Sequence, residues 1–289
     1  MAYQQAQLTH KSHPDVVRPP VIGAVFMETL RRQFRPTLYW GVGFAAMAFM
    51  VLAIIPDAEF FKLYQQVASA LGGFFEGFLG ADAAYAATPE GYVSAEFFSW
   101  IIFLLVIYAV IAGIRITITD EEDGNLDLVL SLPLPRWQLI VEQFLAYIVL
   151  IGVICILAFL GLLSGQLAVD ALSVSLFRLF EAALNFMPFA IVVLAMTLFL
   201  STVMRRRSMV TRFASILVVG AYILEFFGRM AGEQSIVHQV SKFSFYHYYD
   251  PVAVMQFGWQ WGNAGLLLLS SVVLVLLAIW FFNRRDIAV

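Results

Sequence analysis

Two adjacent carboxylates, Glu121 and Glu122, stand inside the acidic run Asp120–Glu121–Glu122–Asp123, and paired carboxylates are common raw material for acid–base or metal chemistry. The partner groups such chemistry needs are missing from the adjoining positions: the next residues are Gly124, Asn125 and Leu126, none of them a cation or an imidazole. Nucleotide hydrolysis fares no better. The chain's lysines, Lys11, Lys62 and Lys242, are preceded by His10, Phe61 and Ser241, so no Gly-Lys-Ser/Thr phosphate-binding loop exists. The single cysteine, Cys155, excludes an internal disulfide and a multi-cysteine metal site, and inside an apolar run it reads as a small filler. His10, His13, His238 and His247 all fall outside the apolar runs. The sequence therefore predicts no catalytic residue, no metal site and no cofactor held by this chain.

The residues after the acidic pair read as structure instead. Gly124 is suited to the left-handed turn that closes one helix, and Asn125 can cap a new one through its side-chain oxygen. Asp127 then falls in the first turn, where the helix dipole favours an anion, while Leu126, Val129 and Leu130 share one face. Pro133 and Pro135 stop that helix before Arg136. A helix of under two turns is unstable alone, so its apolar face must pack against this chain or a partner.

The elements around it belong in a membrane. With 61% hydrophobic residues, 13% charged residues and a mean hydropathy of +0.84, 289 residues would expose far more apolar surface than water tolerates. Apolar windows long enough to span a bilayer occur at 38–55, 97–118, 139–163, 182–203, 209–230 and 264–282, which predicts an all-α integral membrane protein with six spans. With both termini inside, all but Lys62, Arg178, Arg229 and Lys242 of the 17 Lys and Arg lie on the inner side. The expected topology is multi-pass in the cell membrane with cytoplasmic termini. Residues 1–20 are polar, carry no secretory signal, and read as a disordered cytoplasmic tail before a single domain over 21–289. Over 21–35, Ile22, Phe26, Leu30 and Phe34 recur every four residues against Arg31, Arg32 and Arg35, the pattern of an amphipathic helix in the inner interface. Residues 232–262 are rich in aromatics and broken by Pro251, which fits either an aromatic belt at the outer interface or a segment that re-enters the bilayer.

The order of two acids, Gly124, the capping Asn125, Leu126, the acid Asp127, aliphatic residues, and then Leu132-Pro133-Leu134-Pro135-Arg136 resembles the cytoplasmic coupling helix of ABC type-2 exporter permeases, which lies between their second and third spans. It occupies that place here, with Asn125 where Thr is usual and Asp127 where Glu is common. The resemblance extends to the amphipathic elbow helix and to the ending Phe282-Asn283-Arg284-Arg285-Asp286. It implies a permease subunit of an ATP-driven exporter. Its partners would be two ABC ATP-binding subunits, which bind ATP and Mg, a second permease half (a homodimer), and membrane lipids, with no nucleic acid. Leu126, Val129 and Leu130 would be the face seated in the ATPase, Gly124 and Asn125 its geometric start, Pro133 its stop, and Glu121, Glu122 and Arg136 polar contacts at the rim.

Two other classes compete. Glu121-Glu122 invites comparison with an intramembrane protease motif, Glu-Glu-x-x-x-Arg, but Leu126 stands where Arg should. A secondary transporter working without an ATPase would want broken helices and several intramembrane charges. The candidates for a substrate path are Asn185, which with Pro188 can polarise and kink the fourth span, and Glu225, four residues before Arg229 in the favourable order for a helical ion pair.

Overall fold

The structure is a computed structural model and describes residues 22–55, 59–72, 83–117, 135–169, 174–204, 206–232 and 234–284. Among these the regular structure is all helical, with no strand. Six helical stretches are long and apolar enough to cross a membrane: Ala24–Ala53, Pro89–Arg115, Trp137–Ala168, Leu176–Val203, Arg207–Met230 and Trp261–Arg284. Inner and outer denote the ends as the arginine bias of the sequence predicts them.

Helix α1, Ala24–Ala53, runs unbroken through both the amphipathic stretch and the first apolar window. Pro36 lies inside it and costs one hydrogen bond to the preceding turn, yet the helix carries on. Thr37, Gly41, Phe44, Ala48 and Leu52 recur at intervals of three and four, and this face is the one buried. It packs along the helix Arg136–Ala168 (α6), where Gly161 and Gly165 meet it. A Cβ on Gly165 would come within 2.8 Å of Leu52 Cβ, and one on Gly161 would strike the Ala45 backbone. The small-residue pair thus marks a real helix crossing.

Between the first two spans, α2 (Glu59–Leu71) and the short α3 (Ala83–Ala86) and α4 (Pro89–Tyr92) lie at the outer end. Tyr64 of α2 donates to Glu96 Oε1 at 2.7 Å, and burial pushes its phenol well above the usual range, so it remains a donor. The second span starts with α4 and passes through a π-helical stretch, Val93–Phe98, before α5 (Ser99–Arg115). The fourth span is two helices: α7 (Leu176–Leu184) meets α8 (Phe186–Val203) at Asn185. Apolar around its whole circumference, α8 sits at the centre of the bundle against α5 and the last span, α12 (Trp261–Arg284). In the fourth span 78% of the most apolar window is buried, against 22% for the fifth span α9 (Arg207–Met230) and 22% for α12, which therefore form the rim.

The 232–262 segment folds back onto the spans. It contains α10 (Ile236–Ser241), a 3-10 turn (Phe245–Tyr248) and α11 (Pro251–Phe257). Each is started by a side-chain cap: Ser235 accepts from His238 N, Ser244 from Tyr246 N, and Asp250 from Ala253 N, with Pro251 at the first helical position.

Candidate functional site

The predicted ATPase-facing segment joins α5 to α6. Glu121, Glu122, Gly124, Asn125, Leu126, Val129, Leu130 and Pro133 lie outside the described residues, and of Arg136 only the backbone, as the first residue of α6, is described. The described residues form the pair of joints on either side.

At the end of α5, Gly113 lies so close to Thr197 and Leu194 of α8 that a Cβ would approach the Thr197 side chain to 2.7 Å. One turn further on, Thr117 donates to Ser201 Oγ at 2.6 Å, and Ser201 in turn donates to the Leu198 carbonyl at 2.6 Å. Both hydroxyls are buried, where a hydrogen bond is costly to lose. Arg115 donates to Gln33 Oε1 of α1 at 2.5 Å. At the start of α6, Glu142 is 7% exposed and collects three donors: Gln138 Nε2 at 2.6 Å, Gly23 N at 2.9 Å and Phe26 N at 3.0 Å. The last two are orphan amides at the start of α1, so the carboxylate both satisfies them and complements the dipole. The helices entering and leaving 118–134 are thereby bonded to other spans, α5 to α8 and to α1, and α6 to α1. These bonds tie four helices, α1, α5, α6 and α8, to the two ends of the connection.

The outer half holds the two predicted path residues, in separate places. Asn185 is buried at the α7–α8 break, and its Nδ2 has no hydrogen-bond partner among the described residues. Glu225 is 4% exposed; Arg229 Nε lies 2.8 Å from Oε1, as the i,i+4 spacing predicts, and His247 Nδ1 from the folded-back segment lies 3.3 Å from both oxygens. Glu181 is tied to Arg178 at 2.9 Å and accepts from Trp259 N at 3.4 Å.

Between these polar points lies a seam of rings that sequence reasoning missed. Phe186 and Phe189 of α8 pack on Tyr249 and Tyr246 of the folded-back segment, with centroids 6.3 Å (Phe186–Tyr249), 5.1 Å (Phe189–Tyr249) and 4.9 Å (Phe189–Tyr246) apart. Phe97 and Phe98 of the π-helical stretch close the other side, Phe98 at 5.3 Å from Phe186. All six rings are buried. Tyr249 donates to the Phe98 carbonyl at 3.0 Å, and Ser244 donates to the Ala221 carbonyl of α9 at 2.9 Å, which fastens the segment to the second and fifth spans. The phenylalanines gave no signal because in an apolar run they are indistinguishable from lipid-facing residues; Tyr246 and Tyr249 were visible only as members of an aromatic-rich stretch. These two tyrosines do not act as a simple interfacial belt, whose rings would face the headgroups rather than the interior of the bundle.

Residues 24–287 match the family described as ABC-2 family transporter protein. The chain belongs to that family. No curated protein matches it in sequence. As an ABC-2 permease it is a multi-pass membrane component of a transporter, and permeases of this family normally work with ATP-binding subunits. The family match spans the joints, the 118–134 connection and the aromatic seam alike.

Proposed function

We propose that this chain is the membrane half of an ATP-driven exporter in the cell membrane, pairing with a second copy of itself and with two separate ABC subunits that bind ATP and Mg and hydrolyse the nucleotide. The observation that carries the reading is the pair of joints: Thr117 with Ser201 on one side of the 118–134 connection, and Glu142 with Gly23 and Phe26 on the other. A connection so placed between two braced helices is suited to receive a mechanical input. In this reading the stretch 125–132 seats in the ATPase through Leu126, Val129 and Leu130. Closure of the nucleotide-binding dimer moves α5 and α6 with the helices bonded to them, and the movement is completed at the outer end by release of Tyr249 from Phe98. An apolar or amphipathic cargo suits spans that carry few charges. The segment Ala24–Arg35 lies in the inner interface, and both termini are cytoplasmic.

Purification of the tagged chain from its native membrane in mild detergent, with mass spectrometry of what accompanies it, tests the reading. A Walker-motif ATPase is expected in equal amount with the wild type and absent with Leu126→Asp, which leaves membrane insertion intact. A chain that comes down alone would favour a secondary transporter.

A further inference from the structure

Helix α2 presents more apolar surface than the rest of the chain covers. Placed at about 100° per residue, its 13 residues sort into three sectors. Phe60, Phe61 and Tyr64 pack on Tyr92 of α4, with ring centroids 5.3, 6.1 and 5.1 Å from it, and Ala68 of the same sector is buried. Beside that sector Leu63, Val67 and Leu71 recur every four residues and are 63%, 60% and 49% exposed. The third sector is polar, with Lys62, Gln65, Gln66 and Ser69 all exposed. A helix surrounded by water on both open sides gains nothing from such a division, whereas one lying between an apolar and a polar medium satisfies both exposed sectors at once. Its height in the bundle agrees. Tyr64 donates to Glu96 Oε1, which sets α2 level with Glu96 of the second span. From Glu96 to Arg115, at the other end of that span, the chain climbs 19 residues, about 28 Å at about 1.5 Å each, and a hydrocarbon core is about 30 Å thick. With Arg115 at the inner boundary of the hydrocarbon, α2 falls at the outer one. Met50 and Ile54, exposed at the end of α1, carry the apolar surface of the first span up to the start of α2.

We propose that α2 is a lipid-binding element: it lies along the outer boundary of the bilayer, with acyl chains of the outer leaflet covering Leu63, Val67 and Leu71 and water covering the Gln65, Gln66 and Ser69 sector. Burial of the three aliphatic side chains supplies the attraction, and because they occupy one stripe they fix the rotation of the helix about its axis. The rings on Tyr92 and the bond from Tyr64 to Glu96 then tie the π-helical start of the second span to that surface and hold its depth. The inference needs only that the chain sits in a membrane and stands whether or not an ATPase is its partner.

Nitroxide spin labels on single cysteines decide it, in the full-length chain carrying Cys155→Ala and reconstituted into dioleoylphosphatidylcholine vesicles. Labels at Leu63→Cys, Val67→Cys and Leu71→Cys should relax chiefly by collision with dissolved oxygen, and labels at Gln66→Cys and Ser69→Cys chiefly by collision with a water-soluble nickel chelate. The oxygen-to-nickel ratio is expected to be roughly tenfold higher in the first set, since hydrocarbon excludes polar solutes. All five side chains are exposed, so the substitutions leave the packed sector intact. Equal ratios in the two sets, with nickel reaching every label, would place both exposed sectors in water and overturn the proposal. Dipolar broadening at Leu63→Cys and Val67→Cys that disappears on dilution with unlabelled chain would make the occupant a second copy of this protein. Labels in the first set that are immobilised and shielded from both agents would make it a different polypeptide, and either result likewise refutes the lipid assignment.

Discussion

At the scale of single residues, the informative group is Glu142. From sequence it is an ionisable residue near the inner end of a span, ambiguous by itself. Two of its partners, Gly23 N and Phe26 N, are 119 and 116 residues away, a separation no local pattern encodes. Glu225 is the counterpart. Its bond to Arg229 was legible because i,i+4 spacing is local, whereas its contact with His247, 22 residues on, required the segment to fold back. The Glu142 carboxylate serves three donors, so Glu142→Ala leaves two backbone amides of α1 without their acceptor. The expected loss is about 1–3 kcal/mol. Thermal unfolding in detergent, followed by intrinsic fluorescence, should show a lower midpoint for Glu142→Ala and a smaller drop for Glu142→Gln, whose remaining oxygen still accepts. An alanine variant that melts with the wild type would remove Glu142 from the account of how α1 is held.

At the scale of elements, what the sequence disclosed depended on the physical signal each element carries. The six spans were legible because length and apolarity are properties of the chain alone. The helices that carry them were less so. The helix holding the apolar window 38–55 runs from Ala24 to Ala53, taking in the amphipathic stretch as well, and is capped by a carboxylate from a distant helix. The window 182–203 falls across two helices, Leu176–Leu184 and Phe186–Val203, and Asn185 with Pro188 marks their junction, a break that the residue types foretold. The π-helical stretch at Val93–Phe98 had no sequence signature. Gly161 and Gly165 form a pattern frequent by chance, and only the path of α1 shows that they are used. Because the Cβ of Gly161→Ala would meet the backbone of Ala45, which cannot rotate away, α1 and α6 must separate, at a cost of about 1–3 kcal/mol. Gly152→Ala is the internal control on the same helix. Its nearest neighbour would be Met187 Cε at 4.0 Å, so the change should be neutral, or stabilising by up to about 1 kcal/mol through helix propensity. Unfolding midpoints that move the same way for both variants would show that the crossing is not tightly packed.

At the scale of the whole molecule, α8 connects the two ends. Near its inner end Ser201 holds Thr117, and near its outer end Phe186 and Phe189 pack on Tyr249 and Tyr246. The twelve steps from Phe189 to Ser201 lie within one uninterrupted helix, about 18 Å of rod at about 1.5 Å per residue. Sites that far apart ordinarily respond independently to mutation. A rigid helix buried on nearly every side, with no flexible joint between its ends, is the circumstance in which they should not. Thr117→Val keeps the shape of the side chain and deletes only the donor to Ser201, so any distant effect must travel through the bundle. Hydrogen–deuterium exchange on the full-length chain is expected to rise at residues 245–249, by up to about fivefold for the roughly 1 kcal/mol such a bond contributes. Changes confined to the neighbourhood of Thr117 and Ser201 would mean that the inner joint and the outer aromatic seam are mechanically separate, and coupling between them would then have to run through α1 and α6.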